Sequence, residues 1–190
     1  MMKDYFENLA EAGIGVHKSP FLHQIKALEM AVAGEDLFVA TGTGSGKTEC
    51  FMWPLMAKLA NEARNYKDSW RMRGVRMVIM YPMNALVSDQ ISRLRCLIGD
   101  HENRFINIFR KVCGQDVRRP QFGMYTGRTP YQGEMPEKRQ DRALEKTLAR
   151  LVFPKTDEER AFFEQLLDSG KIPAKSDIVS LCSRSNYSVY

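Results

Sequence analysis

The sequence has little of what would place a chain at a glance. It holds four cysteines, Cys50, Cys96, Cys113 and Cys182, with no C-x-x-C pair among them. A disulfide scaffold or a structural zinc site is therefore not expected, and a reducing cytoplasm fits. No apolar run approaches the ~20 residues that a membrane helix needs. The first residues (Met1-Met2-Lys3-Asp4-Tyr5-Phe6-Glu7) lack an apolar core of the secretory kind. Eight prolines and 13 glycines in 190 residues are too few for a collagen-like or low-complexity chain. The three histidines, His17, His23 and His101, show no partner spacing, so no catalysis is assigned to them. What is present is globular composition: 44% hydrophobic and 27% charged residues, enough for one domain with a core.

The net charge of +5 is unevenly spread. Residues 1–60 carry −2, residues 61–150 carry +8 and residues 151–190 carry −1. Fourteen of the 18 basic residues in the middle segment are arginine. Guanidinium forks match phosphate oxygens, so a polyanion is a candidate partner for this segment. A merely solvated basic surface explains the same numbers.

Hydrophobic spacing predicts a helix over 20–33, with Ile25, Leu28 and Val32 on one side, broken by Gly34-Glu35-Asp36. Leu37-Phe38-Val39-Ala40 reads as a buried strand. A glycine-rich turn follows, and then Met52, Leu55, Met56 and Leu59 at helical spacing from near Lys47. A polar stretch, 61–74, links to a second strand over 75–81 that Pro82 ends. Val87, Ile91, Leu94 and Ile98 mark another helix. Strand, helix, strand, helix with apolar strands is the pattern of an α/β fold, a parallel sheet flanked by helices. Further on, Gln121-Phe122-Gly123-Met124-Tyr125 is a candidate third strand. Leu144, Leu148, Leu151 and Val152 suggest a helix, and Thr156 with Glu159 forms a capping box for the next, in which Phe163, Leu166 and Leu167 face one way. The expected layout is an N-terminal segment (1–19), an α/β lobe (20–135), a helical C-terminal extension (136–170) and a poorly ordered tail (171–190).

The chemistry concentrates in Thr41-Gly42-Thr43-Gly44-Ser45-Gly46-Lys47-Thr48, between a predicted strand and a predicted helix. Glycines let backbone N–H groups turn inward and approach phosphate oxygens. A helix N-terminus adds its positive dipole end. Lys47 can neutralise β- and γ-phosphates, and the Thr48 hydroxyl can ligate Mg²⁺. The strict pattern G-x-x-x-x-G-K-[ST] fails only at its first position, Thr41. The plainer reading is an ordinary glycine-rich turn. Upstream stands Gln24, in Pro20-Phe21-Leu22-His23-Gln24. Its amide can donate to and accept from an adenine edge at once.

Gln24, the loop Thr41–Thr48 with Glu49, and Pro82-Met83-Asn84-Ala85-Leu86-Val87-Ser88-Asp89-Gln90 together resemble the first RecA-like lobe of a superfamily 2 DEAD/DEAH-box-type helicase. They correspond in order to its Q motif, motif I and motif Ia. The form P-x-x-x-L-x-x-D-Q is closer to the RecQ-like branch. Tyr125-Thr126-Gly127-Arg128 resembles the glycine turn after the third strand of such lobes. The resemblance covers about residues 20–130. It implies a nucleotide site for ATP and Mg²⁺ formed by Gln24, Thr43, Gly44, Ser45, Gly46, Lys47, Thr48 and Glu49. Lys47 and Thr48 are its catalytic positions, and Thr48 reaches the metal beside the nucleotide. Pro82, Asn84, Gly127 and Arg128 would touch a nucleic-acid backbone, DNA ahead of RNA, without sequence specificity. Asn84 also suits a helix N-cap. Arg93 and Arg95 read as solvated helix charges.

The same resemblance exposes what is missing. Motif II needs an Asp-Glu pair ending a hydrophobic strand. The one Asp-Glu pair here, Asp157-Glu158, follows Pro154, which cannot donate within a central strand, and sits inside the capping box. A second RecA-like lobe, source of the arginine finger, is not visible. The expectation is therefore a lobe truncated before motif II, binding ATP weakly and unable to hydrolyse or unwind by itself. A lobe lacking strands would also leave an apolar sheet edge and be marginally stable. Two other readings stand beside this one: another P-loop NTPase, and a non-catalytic basic module that binds nucleic acid.

Overall fold

The computed structural model describes residues 2–100, 102–126, 150, 153–175 and 177. They divide into two compact units. The first is built from residues 1–79 and 104–120, the second from residues 80–103 and 121–190.

The first unit is helical. Its elements are α1 (Met2–Glu11), α2 (Leu22–Ala33), α3 (Glu49–Asn65), the single turn α4 (Lys67–Arg71) and, after the excursion into the other unit, α6 (Arg104–Cys113). Helix α3 is the axis, buried on nine of its positions from Cys50 to Ala63. Helix α6 lays Phe105, Ile106, Phe109 and Cys113 inward at helical spacing. Phe109 is fully buried and collects the other rings. Phe105 stacks on it at 5.7 Å, Trp70 leans on it at 5.8 Å, and Tyr5 of α1 meets it edge-on at 6.4 Å. Neither 2–11 nor 104–113 is among the helices expected from the sequence.

Helix α2 forms where expected, but its buried face is Gln24 and Ala27, whereas Ile25 and Val32 are exposed. Small Ala27 permits close approach to α3; the larger side chains would hold the two helices apart. The helix ends on Gly34 at φ 85°, where Gly34 N–H donates to Ala31 and Glu35 N–H to Met30. This is a Schellman closure, which needs the left-handed backbone that glycine adopts freely.

The predicted parallel sheet is the main departure. Among the described residues there is no strand. Segments 37–40, 75–81 and 121–125 follow irregular paths without ladder pairing. The apolar residues expected in a sheet core are solvent-facing, with Phe38 91% and Val75 83% exposed. An apolar run becomes a strand only when neighbouring strands accept its N–H and C=O groups. The segment 72–76 is instead tied down through a side chain. Arg76 donates to the carbonyls of Met72 and Gly74, to that of Ser69, and to the Glu62 carboxylate at 3.2 and 3.3 Å. Arg118 stacks over Trp70 at 4.8 Å and donates to the carbonyls of Trp70 and Met72.

The second unit holds α5 (Asn84–Leu97) and α7 (Asp157–Asp168). Ile91, Leu94, Leu97 and Ile98 are buried, as their spacing requires. The end of α7 packs on α5 through Gly170, where an added Cβ would strike the Ser92 carbonyl and lie 2.8 Å from Cys96 Sγ. Arg95 is not a solvated charge. It reaches the carbonyls of Gly170 and Lys171 at 3.2 and 2.8 Å, acceptors left open beyond a helix C-terminus. Thr156 caps α7, accepting from Glu159 N–H at 3.2 Å, while the Glu159 carboxylate accepts from Lys155 N–H at 2.7 Å. The capping box thus closes one residue earlier than its usual form. The expected helix through Leu144, Leu148, Leu151 and Val152, and most of the expected tail, lie outside the described residues. No helix among the described residues is long and apolar enough to cross a membrane.

Two outcomes test this packing. Burial would push the Glu62 carboxyl up, but the Ser69 hydroxyl and the Arg76 guanidinium outweigh it and hold it below the ordinary range. A depressed folded-state value gives stability that is present above the unfolded pKa of about 4.3 and lost as the pH falls through the folded value. Glu62→Gln should therefore lower the urea midpoint at neutral pH, and the gap to the wild type should close in acid. In contrast, the Tyr5 hydroxyl is buried without a hydrogen-bond partner among the described residues. An unpaired buried hydroxyl costs roughly 1–3 kcal/mol. Tyr5→Phe should melt at the same temperature or higher, and a clear drop would reveal a partner for the hydroxyl.

Candidate nucleotide site

The loop between the segment 37–40 and α3 is closed by its own side chains. Gly44 (φ 76°) and Gly46 (φ 73°) take the left-handed backbone that turns the chain. The Ser45 hydroxyl donates to the Gly42 carbonyl at 2.8 Å. Its one proton is then spent, so Thr41 Oγ1 is the donor in the 2.7 Å contact with Ser45 Oγ. Lys47 folds back and donates from Nζ to the carbonyls of Thr41 and Gly42, both at 2.7 Å. Helix α3 begins at Glu49 with Thr48 in the capping position, where its carbonyl accepts from Phe51 and Met52. The Thr48 side chain caps nothing, which leaves its hydroxyl beside the helix N-terminus.

Helix α2 holds this loop from the other side. Gln24 is 2% exposed. Its oxygen accepts from Phe21 N–H at 2.9 Å, and its amide nitrogen donates to the Gly46 carbonyl at 3.1 Å. Both ends of the amide that could read adenine are thus bonded within the protein. His23, passed over in the sequence, makes the neighbouring contact, from Nε2 to the Ser45 carbonyl at 2.8 Å. The only sequence signal for it is its place beside Gln24.

The structure brings Gln24, Thr43, Gly44, Ser45, Gly46, Lys47, Thr48 and Glu49 together in the first unit. Pro82 and Asn84 belong to the second unit and are solvent-exposed. Asn84 is not the N-cap of α5. Met83 takes that extended position, and Asn84 is the first helical residue, its carbonyl accepting from Ser88 Oγ at 3.1 Å. Within the same motif, Gln90 turns inward and Asp89 pairs with Arg93 at 3.5 Å. Gly127 and Arg128 lie outside the described residues. Asp157 and Glu158 occupy the exposed first turn of α7, where Asp157 pairs with Arg160 at 3.2 Å. That is a helix-start role, not the end of a buried strand.

The loop glycines should rank by geometry. An added Cβ at Gly46 would run into the Gln24 amide, on a backbone already left-handed. At Gly44 the space is open but φ is positive, and at Gly42 neither obstacle exists. A left-handed residue other than glycine costs roughly 1–2 kcal/mol. Denaturation of the three alanine variants should therefore show Gly46→Ala as the most destabilised, Gly44→Ala intermediate and Gly42→Ala within about 0.5 kcal/mol of wild type.

With this geometry in view, comparison with known proteins is informative. The family model described as DEAD/DEAH box helicase matches residues 21–157. The chain is 46% identical over 135 residues to Druantia protein DruE of Escherichia coli (strain UMEA 4076-1), a match covering 70% of this chain and 7% of that protein. It is 30% identical over 80 residues to the uncharacterized ATP-dependent helicase YprA of Bacillus subtilis (strain 168), covering 42% of this chain and 9% of that one. It is 28% identical over 160 residues to DEAD-box ATP-dependent RNA helicase 57 of Arabidopsis thaliana, covering 84% and 27%. The chain thus spans from under a tenth to about a quarter of the length of these relatives. No solved structure matches it. The phosphate loop, the glutamine that braces it and the match from Phe21 to Asp157 agree, and the chain belongs to the DEAD/DEAH box helicase family.

Proposed function

We propose that this chain is the ATP-binding lobe of an ATP-dependent nucleic-acid helicase or translocase. The observation that carries the reading is the loop itself. Two left-handed glycines, a lysine folded over the loop carbonyls and a helix start with an uncommitted threonine hydroxyl make a phosphate cradle. These residues fit a magnesium triphosphate. Lys47 would exchange two neutral carbonyl acceptors for charged phosphate oxygens, which bond more strongly. Thr48 would offer its hydroxyl to Mg²⁺, which neutralises phosphate charge when bound.

The finer parts of the reading rest on family resemblance. Pro82 and Asn84, exposed at the start of α5, are the surfaces we assign to a nucleic-acid backbone, and we include Gly127 and Arg128. The P-x-x-x-L-x-x-D-Q form of motif Ia favours a RecQ-like relative and hence DNA over RNA. We further propose that segments 37–40, 75–81 and 121–125 enter a parallel sheet in the complete RecA-like lobe, and their exposed apolar side chains support this. With Asp157-Glu158 committed to a helix start, this chain should neither hydrolyse ATP nor unwind unaided. A second lobe would supply the arginine finger. The alternative of a basic binding module has less behind it, because Arg76, Arg95, Arg110 and Arg118 spend donors on main-chain carbonyls.

The test is titration of a fluorescent ATP analogue with Mg²⁺ into the purified chain and its Lys47→Ala variant. Saturable binding in the wild type, lost at least tenfold in the variant, is expected. Binding indifferent to Lys47, or robust hydrolysis stimulated by DNA in the chain alone, would refute the corresponding part of the reading.

A further inference from the structure

The loop carbonyls are held to an unusual degree by side chains. Those of Thr41 and Gly42 receive Lys47, and that of Gly42 also receives Ser45. The next two in the row that matter are Ser45, against His23, and Gly46, against Gln24. In a trans peptide the carbonyl and the following N–H point to opposite sides of the chain, and there is no cis peptide among the described residues. Fixing the Ser45 carbonyl toward α2 therefore turns the Gly46 N–H away from it. Fixing the Gly46 carbonyl does the same for the Lys47 N–H. These two amides open the stretch of backbone that a phosphate cradle presents to its ligand.

Gln24 could be foreseen as part of such a site, but His23 could not. A carbonyl can only accept, so His23 Nε2 must carry the proton in this contact. The ring is held for the task. Phe21 stacks on it at 5.5 Å with planes 11° apart, although Phe21 is otherwise largely exposed. The stack sets the plane of the imidazole, and so the direction of its N–H.

We propose that His23, oriented by Phe21, is a positioning residue that fixes the Ser45–Gly46 peptide plane and thereby aims the loop amides at bound polyphosphate. This rests on the ATP-lobe reading above. It assigns His23 to the phosphate end of the nucleotide and not to the base.

Two measurements decide it. Imidazole ¹⁵N resonances of the wild-type chain should show the Nε2–H tautomer for His23. The Nδ1–H tautomer would overturn the proposal without any variant having to fold. Next, binding of Mg²⁺–ATP and of Mg²⁺–tripolyphosphate, which has no base, should be measured for wild type, His23→Ala and His23→Gln. Losing one hydrogen bond should weaken both ligands in His23→Ala by the same factor, roughly three- to tenfold. His23→Gln, with an amide donor at similar reach, should recover most of it. Weakened ATP with unchanged tripolyphosphate would place the ring at the base and overturn the proposal, as would unchanged affinity for both. No binding of either ligand by the wild type would instead sink the ATP-lobe reading itself.

Discussion

The first unit is organised around a contact that leaves no room for a methyl group. Gly46 lies directly against the Gln24 amide, and its carbonyl accepts from that amide at 3.1 Å. The bond connects α2 to the turn that launches α3, the helix on which the unit's core is assembled. Because the contact needs a left-handed residue without a side chain, position 46 is constrained twice, by backbone conformation and by packing. The buried amide is in turn satisfied at its oxygen by Phe21 N–H, so the start of α2 is fixed by the same residue. A change at this point would propagate into the loop, the helix entry and the position of α2.

The loop of the candidate site was easier to pick out in the sequence than the fold. Glycine, lysine and threonine in a fixed order carry a local instruction, and the loop that they form is closed largely by its own side chains. The helices with apolar repeats, α3 and α5, were legible for the same reason. What was missed depended on tertiary choice. Helix α2 buries Ala27 and the hydrogen-bonded Gln24 and leaves Ile25 and Val32 outside, because close approach to α3 and the bond to the loop outweighed hydrophobicity. Helix α6 carries Phe105, Ile106 and Phe109 at helical spacing, but short elements after Gly99 gave no framework in which to see it. The sheet failed for the opposite reason. A strand is a relation between segments, and apolar runs over 37–40 and 75–81 cannot satisfy their backbone alone.

The arginine-rich middle of the chain serves the fold as well as carrying charge. Fourteen arginines between residues 61 and 150 suggested a surface for a polyanion. Several are structural. Arg76 and Arg118 gather the turn after α3 by donating to its carbonyls, both near the Trp70 indole, with Arg76 also bonded to the Glu62 carboxylate. Arg95 closes the open acceptors after α7. A guanidinium has five donors in a rigid fork and tolerates partial burial. It can therefore replace the ladder bonds that an irregular segment lacks. Composition records the charge but not the direction in which the fork points.

Both of the chain's tryptophans sit in the first unit. Trp53 anchors α3 to the segment after α1 by donating to the Gly15 carbonyl at 2.9 Å, and Trp70 lies against Phe109 with Arg76 and Arg118 near its ring. Intrinsic emission excited at the red edge of tyrosine absorption thus originates in this unit alone, from two environments that differ in their charge. The second unit holds no tryptophan, whereas its helices α5 and α7 contribute to far-ultraviolet circular dichroism. Two optical probes on one sample would therefore separate the fate of the first unit from that of the second.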